Sequence, residues 1–295
     1  MKKNNVEIIF DANVVDILKT GKKIKKIILT NGEVVARKYI FCTGGKTYSQ
    51  TGSDGLGYLL MEKLGHTIVR PMPALSSIKI KDEFVKNLQG ISLKGVGINV
   101  TQNGKKQFSE GGEIMFTHFG VSGPAVFNIS GAVGELLEKG ETKISFDLFP
   151  LLNHEEVLKE FEDILKRYPN RTIKNVLSFF AAERLAEVLA DIAGISKEKI
   201  ANNMSKIERD NMAKVFKNIE LTAESVLGFD QAMVTKGGIS LKEIDGKTMK
   251  SKIIENLSFA GEIINVNGKT GGFNLQNCWS TGYLAGKSAL EENIK

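Results

Sequence analysis

The stretch that begins at Ser258 constrains the fold of this chain more than any other. Residues 258–260 are small and apolar, which is typical of the end of a buried strand. Glu262 follows Gly261 directly, so a strand that ends here can present one carboxylate at the edge of a sheet. Glycines then return at 268, 271 and 272, ahead of a helical pattern. This order predicts a site for a polar, electron-rich group beside a helix N-terminus.

The glycine loop and the helix after it allow two interpretations. Gly271 and Gly272 let the backbone approach a ligand closely. Asn274 is a plausible N-cap for a helix from Leu275 to Leu290, whose first N–H groups would face that ligand. Alternatively, the loop serves only to pack a strand against a helix. The residues of this stretch taken alone leave both interpretations open.

The totals describe an ordinary globular protein. The 295 residues are enough for one large domain or two to three modest ones. The net charge of +6 comes mainly from dispersed lysines, and the densest run, Lys19–Lys26, has no interleaved aromatic residues. We therefore expect no nucleic-acid partner. Cys42 and Cys278 are not part of a C-x-x-C motif, so no metal site and no disulfide framework are predicted.

Membrane and export signals are not recognisable in the sequence. No apolar run is long enough to span a bilayer, and no signal peptide is evident. The expectation is a cytoplasmic protein of bacterial type that has no membrane partner. The oligomeric state is not predicted.

The first 70 residues predict a β-meander followed by a strand and a helix. Short strands are expected at 6–10, 13–18, 25–29 and 34–41, with a hairpin turn at Asn31-Gly32. The last of these strands runs into Thr43-Gly44-Gly45. A helix with leucines at 56, 59, 60 and 64 follows and should stop at Gly65.

Beyond Pro71 and Pro73 the hydrophobic pattern changes twice before it returns to α/β. The pattern is first typical of an antiparallel barrel, with a hairpin turn at Asn103-Gly104. It then becomes typical of helices, one of which begins with a capping box at Ser205–Glu208. The predicted fold class is α/β, with an inserted β-barrel and a small helical domain. The predicted segments are 1–72 (first domain, first part), 73–150 (barrel), 151–218 (helical cap), 219–252 (return through the barrel) and 253–295 (first domain, second part).

One sequence motif predicts no particular structure or chemistry by itself, but it resembles a motif of a known protein family. Residues 113–124 read Glu-Ile-Met-Phe-Thr-His-Phe-Gly-Val-Ser-Gly-Pro. Together with 43–45, 51–57, 234–239, 248–252, 259–262 and 270–274, in that order, this motif resembles one family over about residues 6–289. It is the BaiN/aminoacetone oxidase-like family of bacterial FAD-dependent flavoproteins, also called NAD(FAD)-utilising dehydrogenases.

The resemblance implies an FAD-binding domain of the two-dinucleotide-fold type, built from both ends of the chain. The backbone of Val14 would lie at the adenine, Thr43 and Gly44 along the cofactor, and Glu262 near the ribitol or the pyrophosphate. The N–H groups of Asn274 and Leu275 would face the pyrimidine oxygen of the flavin. The full set of implied cofactor-binding residues is Val14, Thr43, Gly44, Gly45, Gly261, Glu262, Gly271, Gly272, Phe273, Asn274 and Leu275.

The sequence departs from the family in one large respect. The family starts with a strand, a G-x-G-x-x-G loop and a helix, and this chain has no such unit. The FAD-binding domain is therefore expected to be incomplete. Either the sequence is a fragment of a longer product, or it is a shortened protein without bound FAD that acts as a non-catalytic binding module.

The chemistry implied by the resemblance is flavin-dependent oxidation or reduction of a small organic molecule. NAD(P)H or oxygen would be the redox partner. No Ser-His-Asp set and no metal cluster is recognisable, so the catalytic residues stay unknown. His118, inside the family motif, and Lys236, beside two glycines, are the only candidates.

Overall fold

The structure of the chain, a computed structural model, describes residues 6–291. The strands are β1 (Val14–Thr20), β2 (Lys23–Leu29), β3 (Gly32–Val34), β4 (Tyr39–Phe41), β5 (Ile68–Ala74), β6 (Ile78–Ile80), β7 (Ser92–Gln102), β8 (Lys105–Phe116), β9 (Gly120–Ser122), β10 (Thr142–Asp147), β11 (Ile219–Val226), β12 (Val234–Ile239) and β13 (Leu257–Phe259). The α-helices are α1 (Leu56–Leu64), α2 (Pro124–Leu137), α3 (His154–Arg167), α4 (Ile173–Leu177), α5 (Glu183–Ile192), α6 (Lys206–Lys217) and α7 (Phe273–Glu291).

The chain divides into two compact units. Residues 1–72 and 233–295 form the first unit, and residues 73–232 form the second. The second unit is therefore inserted into the first between β5 and β12. The predicted combination of an α/β fold with an inserted β-barrel is confirmed.

The first unit combines a meander with a parallel strand pair. Strands β1, β2 and β3 form an antiparallel sheet, and the turn between β2 and β3 lies at the predicted Asn31-Gly32 position. Strand β4 pairs in parallel with β13, which comes more than 200 residues later in the chain. The two ends of the sequence therefore build one core, to which Phe41, Leu64 and Phe259 contribute buried side chains.

Two strand predictions for the first unit were wrong. Residues 6–10 form no regular element, and all five side chains are exposed, so their apolar pattern has no face to bury. The strand expected at 34–41 is divided into β3 and β4. The break is held by the Tyr39 hydroxyl, which accepts a hydrogen bond from the Ala36 N–H at 2.8 Å and lets the chain turn from the meander into the parallel pair.

The second unit contains a closed six-stranded barrel. The strand order around it is β10, β11, β6, β9, β8 and β7. Strands β7 and β8 meet at a two-residue turn in which Asn103 and Gly104 both have left-handed φ values, 51° and 70°. This is the hairpin turn that the Asn-Gly pair predicted.

Helix α2 was missed in the segment predicted to be all β. Gly123, with φ 103°, precedes Pro124 at the first helical position. Val126, Ile129 and Val133 are then buried with the spacing of one helix face. Proline at a helix start with an apolar stripe after it was a readable signal.

The later helices pack on the barrel as part of the same unit. The predicted capping box at Ser205 and Glu208 is present, and a second one joins Asn153 to Glu156 at the start of α3. Buried residues of the barrel and of α3 to α6 belong to one hydrophobic cluster. The segment 151–218 therefore has no core separate from that of the barrel.

The predicted segment 219–252 contains parts of both units. Strand β11 closes the barrel, but the chain belongs to the first unit from Met233 onwards. The reason lies in two glycines of β12. A Cβ on Gly237 would lie 2.8 Å from the Val69 carbonyl oxygen, and one on Gly238 would lie 2.5 Å from that of Ile263. This close backbone packing holds β12 against elements of the first unit.

Helix α7 has an exposed apolar face in addition to the face that it buries. Thr281, Ala285 and Ser288 are buried, whereas Trp279 and Tyr283 are 66% and 70% exposed. The apolar residues of the exposed face lie within about 100° of the helix circumference; they are Leu275, Trp279, Gly282, Tyr283, Gly286 and Leu290. Apolar patches of this kind are typical of interaction surfaces. Among residues 6–291, no helix is both long enough and apolar enough to cross a membrane.

A buried histidine links the end of α1 to the segment that precedes β13. His66 is 2% exposed, and its ring packs edge-on against Phe259 at 5.0 Å. Its Nδ1 lies 3.2 Å from the Glu243 carboxylate and its Nε2 lies 3.0 Å from Ser251 Oγ. Ser251 Oγ also accepts hydrogen bonds from the N–H groups of Ile253 and Ile254. Burial lowers the pKa of His66, against an opposing effect of Glu243.

We expect the free energy of unfolding to fall as the pH drops below about 6.5, the ordinary pKa of histidine. In that range the unfolded chain binds a proton that the buried His66 ring resists, so acid favours unfolding. Urea unfolding between pH 7.5 and 5 measures this slope. A His66→Gln variant should flatten it, whereas His118→Gln, at an exposed turn, should not. Equal slopes in the wild type and His66→Gln would contradict the assignment.

Candidate functional site

The parallel pairing of β4 and β13 brings two predicted loops to one edge of the sheet. Tyr39 pairs with Leu257 and Phe41 with Phe259, so both strands end at the same level. The Ala260 N–H donates to the Phe41 carbonyl oxygen at 3.0 Å, which extends the pairing by one step. Residues 43–45 follow β4 and residues 261–262 follow β13. The residues predicted to line the cofactor from these two loops therefore lie together.

The two glycines after β4 are required for different reasons. Gly44 has a left-handed φ of 75° and faces Ser53, whose Oγ would lie 2.6 Å from an added Cβ. Gly45 does not have a left-handed φ. A Cβ there would lie 2.6 Å from Glu262 Oε1 and 2.8 Å from Thr235 Cβ. Gly45 is thus needed because two other segments of the chain contact its backbone.

Glu262 is held by contacts with two elements. Its Oε1 accepts a hydrogen bond from the Thr235 N–H at 2.5 Å. Its carbonyl oxygen accepts one from the Tyr58 hydroxyl of α1 at 3.4 Å. Burial, and secondarily the charge of Glu262, raise the pKa of the Tyr58 phenol far above its ordinary value. Tyr58 therefore stays protonated and continues to donate over the whole physiological pH range.

Helix α7 is anchored to the turn that carries Glu262. The Gly261 N–H donates to Thr281 Oγ1 at 2.9 Å, and this hydroxyl donates to the Asn277 carbonyl oxygen at 2.6 Å. Cys278 Sγ lies 3.7 Å from the position that a Cβ on Gly261 would occupy. Thr281 was not among the predicted residues. A threonine inside a helical pattern carries no local signal for such a contact.

The start of α7 differs in detail from the prediction. The helix begins at Phe273, so Asn274 lies in its first turn instead of serving as the N-cap. The Asn274 side chain closes the loop instead: Oδ1 accepts from the Gly268 N–H at 2.8 Å, and Nδ2 donates to the Gly268 carbonyl oxygen at 3.0 Å. Gly271 and Gly272 have left-handed φ values of 111° and 90° and are exposed.

The first turn of α7 is suited to an electron-rich group. The first N–H groups of a helix have no partner within the helix, and the helix dipole is positive at this end. This turn contains no acidic residue, so nothing within it cancels that positive end. Phe273 and Leu275 are 62% and 60% exposed, which leaves the turn accessible.

The remaining predicted residues are placed as follows. Val14 begins β1 and is half-buried against the core of the first unit. Lys236 is half-buried in β12. His118 is an exposed residue of the second unit, on the turn between β8 and β9, where its ring packs edge-on against Phe119 at 4.9 Å. The structure does not test a catalytic role for His118 or Lys236.

A cavity of about 330 Å³ lies in the first unit, beside the loop after β4. Lys46, Tyr58 and Arg70 contribute to its lining. Its volume falls in the range of small-molecule sites. In the described part of the chain, no group of three His, Cys, Asp or Glu side chains could hold a metal ion.

These features fit a flavin nucleotide. Gly271 and Gly272 let a ligand approach the backbone before α7, whereas the space beside Gly44 and Gly45 is filled by side chains of the protein itself. Glu262 can accept a hydrogen bond from a hydroxyl, and the start of α7 can face a ring oxygen. Several of these residues, including Thr43, Gly271 and Gly272, are exposed and therefore reachable by a ligand.

Comparison with known proteins gives consistent matches along the chain. The family model described as "HI0933-like protein Rossmann domain" matches residues 1–288. The "3-dehydro-bile acid delta(4,6)-reductase" of Clostridium scindens is 32% identical over 279 residues, which are 94% of this chain and 68% of that protein. The "Ribosomal RNA dihydrouridine synthase" of Haemophilus influenzae is 29% identical over 281 residues, 94% and 67% of the two chains. The protein of the same name from Escherichia coli is 26% identical over 261 residues, which are 88% of this chain and 62% of that protein.

We expect Gly45→Ala to lower the free energy of unfolding by about 1–3 kcal/mol, because the added Cβ overlaps Thr235 and Glu262. The matched control is Gly246→Ala, at an exposed glycine of the same unit without a left-handed φ and with nothing within 4 Å of an added Cβ. That change should stay within about 0.5 kcal/mol of the wild type. Urea denaturation measures both. Equal free energies of unfolding for the two variants would show that the loop after β4 moves to accommodate the added Cβ, which would contradict the prediction.

Proposed function

The chain belongs to the HI0933-like family of flavoprotein oxidoreductases, and on that premise we propose that it is the FAD-binding part of a reductase acting on an activated carbon–carbon double bond. The observation that carries the proposal is the convergence of the Gly44–Gly45 loop, the Glu262 carboxylate and the adjoining turns at one edge of the β4–β13 pair. The helix anchored to that edge follows two exposed glycines and has no acidic residue in its first turn.

Each part of the site would have its own task toward the cofactor. The loops after β4 and before α7 would bring backbone against it, and Glu262 would accept a hydrogen bond from one of its hydroxyls. The N–H groups of Asn274 and Leu275 would face the flavin ring, and the Val14 backbone the adenine. FAD bound there would supply transfer of a hydride, while the protein supplies orientation and electrostatics.

The substrate class is proposed from what the names of the relatives have in common. One name describes a delta(4,6)-reductase of a 3-dehydro bile acid, and the other a synthase of dihydrouridine. Both describe hydrogen added to ring carbon–carbon double bonds near a carbonyl group. A conjugated carbonyl draws electron density from the double bond, so a hydride adds to the distant carbon and a proton to the nearer one. NAD(P)H is the proposed source of the hydride, and His118 and Lys236 stay the candidates for handling the proton.

Uridine in ribosomal RNA is the second candidate substrate. Two relatives are named for that activity, and the chain has 40 lysines and arginines against 34 acidic residues. The dispersed positions of the lysines favour a small molecule instead. The absence of a nucleic-acid partner therefore stays a prediction, as does the cytoplasmic location.

The first experiment is the visible absorption spectrum of the purified chain, alone and after incubation with FAD and removal of the unbound FAD by gel filtration. We expect flavin bands that bleach under anaerobic NADH or NADPH and return on addition of a conjugated cyclic enone, with the saturated ketone detected by mass spectrometry. The saturated ketone added in place of the enone is the control. A folded chain that stays colourless with FAD would favour the non-catalytic interpretation for this polypeptide.

The RNA candidate is tested separately with the same flavin-loaded protein. Ribosomal RNA transcripts are incubated with it and with NADH or NADPH and then digested, and dihydrouridine is measured by mass spectrometry. Dihydrouridine without turnover of enones would identify RNA as the substrate. Reduction of enones without dihydrouridine would support the small molecule.

A further inference from the structure

Thr235 is a buried polar residue that lies between the two loops of the candidate site. It belongs to β12 and is 1% exposed. Its neighbour Lys236 was proposed as a candidate from the sequence, whereas Thr235 itself contacts the predicted cofactor-binding residues Gly45 and Glu262. A polar side chain buried this completely is normally hydrogen-bonded, so its partners show what it does.

Thr235 makes one hydrogen bond to each loop. Its N–H donates to Glu262 Oε1 at 2.5 Å, which ties it to the turn after β13. Its Oγ1 accepts from the Lys46 N–H at 2.7 Å, which ties it to the loop after β4. One residue therefore connects two segments that are 216 positions apart in the sequence.

The spacing around Thr235 is also fixed by direct contact. A Cβ on Gly45 would lie 2.8 Å from Thr235 Cβ, so the loop after β4 rests directly on this side chain. Two residues further along β12, Gly237 and Gly238 pack so closely on the Val69 and Ile263 carbonyl groups that a Cβ at either position would overlap them. Hydrogen bonds and close packing thus act on the same residue.

We propose that Thr235 is a positioning residue for the flavin site: it sets the distance between the Gly44–Gly45 backbone and the Glu262 carboxylate. The inference rests on the proposed function. With Oε1 of Glu262 held by the Thr235 N–H, the other carboxylate oxygen would accept a hydrogen bond from a hydroxyl of the ligand. The Thr235 hydroxyl acts on the ligand only through Lys46 and Gly45. The side chain of Lys46, whose backbone N–H it holds, also lines the adjoining cavity.

Thr235→Val and Thr235→Ser separate the hydroxyl from the rest of the side chain. Valine keeps the shape and the backbone N–H but removes the acceptor for the Lys46 N–H. Serine keeps the hydroxyl and removes only a methyl group. We expect the dissociation constant for FAD, measured by quenching of flavin fluorescence, to rise about tenfold in Thr235→Val, because a lost hydrogen bond of this kind moves an equilibrium by about that factor. Thr235→Ser should stay within about threefold of the wild type.

Thr142→Val is the matched control for loss of a buried threonine hydroxyl. Thr142 is fully buried in the second unit, where its Oγ1 accepts from Gln102 at 3.1 Å and donates to the Gly140 carbonyl oxygen at 3.2 Å. This variant should lower the melting temperature without changing the affinity for FAD. If Thr235→Val behaves in the same way, Thr235 is merely structural and the proposal is overturned.

Hydrogen–deuterium exchange of the cofactor-free chain gives a readout that does not need FAD. Thr235→Val should speed exchange in residues 43–47 and leave the barrel strands unchanged, and Thr235→Ser should restore protection. Unchanged exchange in 43–47 would overturn the role of the hydroxyl even if FAD binds. If the wild-type chain does not bind FAD, the proposed function fails for this polypeptide, and the exchange data still decide whether Thr235 holds the two loops.

Discussion

The candidate site depends on one long-range interaction, the parallel pairing of β4 with β13. Each strand has only three residues, and the partners come from opposite ends of the sequence. Parallel strands present their carboxyl ends at the same edge, and in open α/β sheets ligands bind beyond that edge. The pairing therefore places Thr43, Gly44 and Gly45 beside Gly261 and Glu262. Without it these would be two unrelated glycine-containing turns.

Such a short strand pair needs support from outside, and the structure supplies it on several sides. Helix α7 is bonded to the turn after β13 through Thr281, and Tyr58 reaches the same turn from α1. On the edge of β13 away from β4, the Phe259 N–H donates to the Met249 carbonyl oxygen, and the Ser251 N–H donates to that of Leu257. The buried ring of His66 fixes Ser251 and packs on Phe259. The loops of the site are thus held by α7, by α1 and by the segment around Ser251, and not by the short strand pair alone.

Features governed by neighbouring residues were predictable from the sequence. The Asn103-Gly104 turn requires left-handed backbone at two successive positions, which these residues tolerate. The capping box at Ser205 and Glu208 satisfies N–H groups within a single turn, and Gly65 ends α1 with a left-handed φ of 104°. Each feature is decided within about five residues. Glu262, Gly271 and Gly272 were predicted from the local pattern and Gly44 and Gly45 from the resemblance to a family; their contact with a cofactor stays a prediction.

Features decided by contacts between distant segments were not predictable. Residues 6–10 have an apolar pattern that could have formed a strand, yet in the described residues they have no surface to cover. Thr235 and Thr281 have no local signal, because their importance comes from Lys46 and Glu262 in one case and from Gly261 in the other. Asn274 was recognised as a helix-start residue, but its side chain bonds to Gly268.

Gly44 and Gly45 show most clearly where sequence reasoning stops. Both were predicted to line the cofactor, but glycine is needed at the two positions for different physical reasons. Gly44 is needed for its backbone conformation, a local property. Gly45 has an ordinary backbone, and a side chain is excluded only because Thr235 and Glu262 lie against it. A glycine such as Gly45 is therefore required by its neighbours in the fold and not by its own backbone conformation. Three segments of the chain therefore meet at Gly45, and changes at Thr235 should act on a ligand through that point.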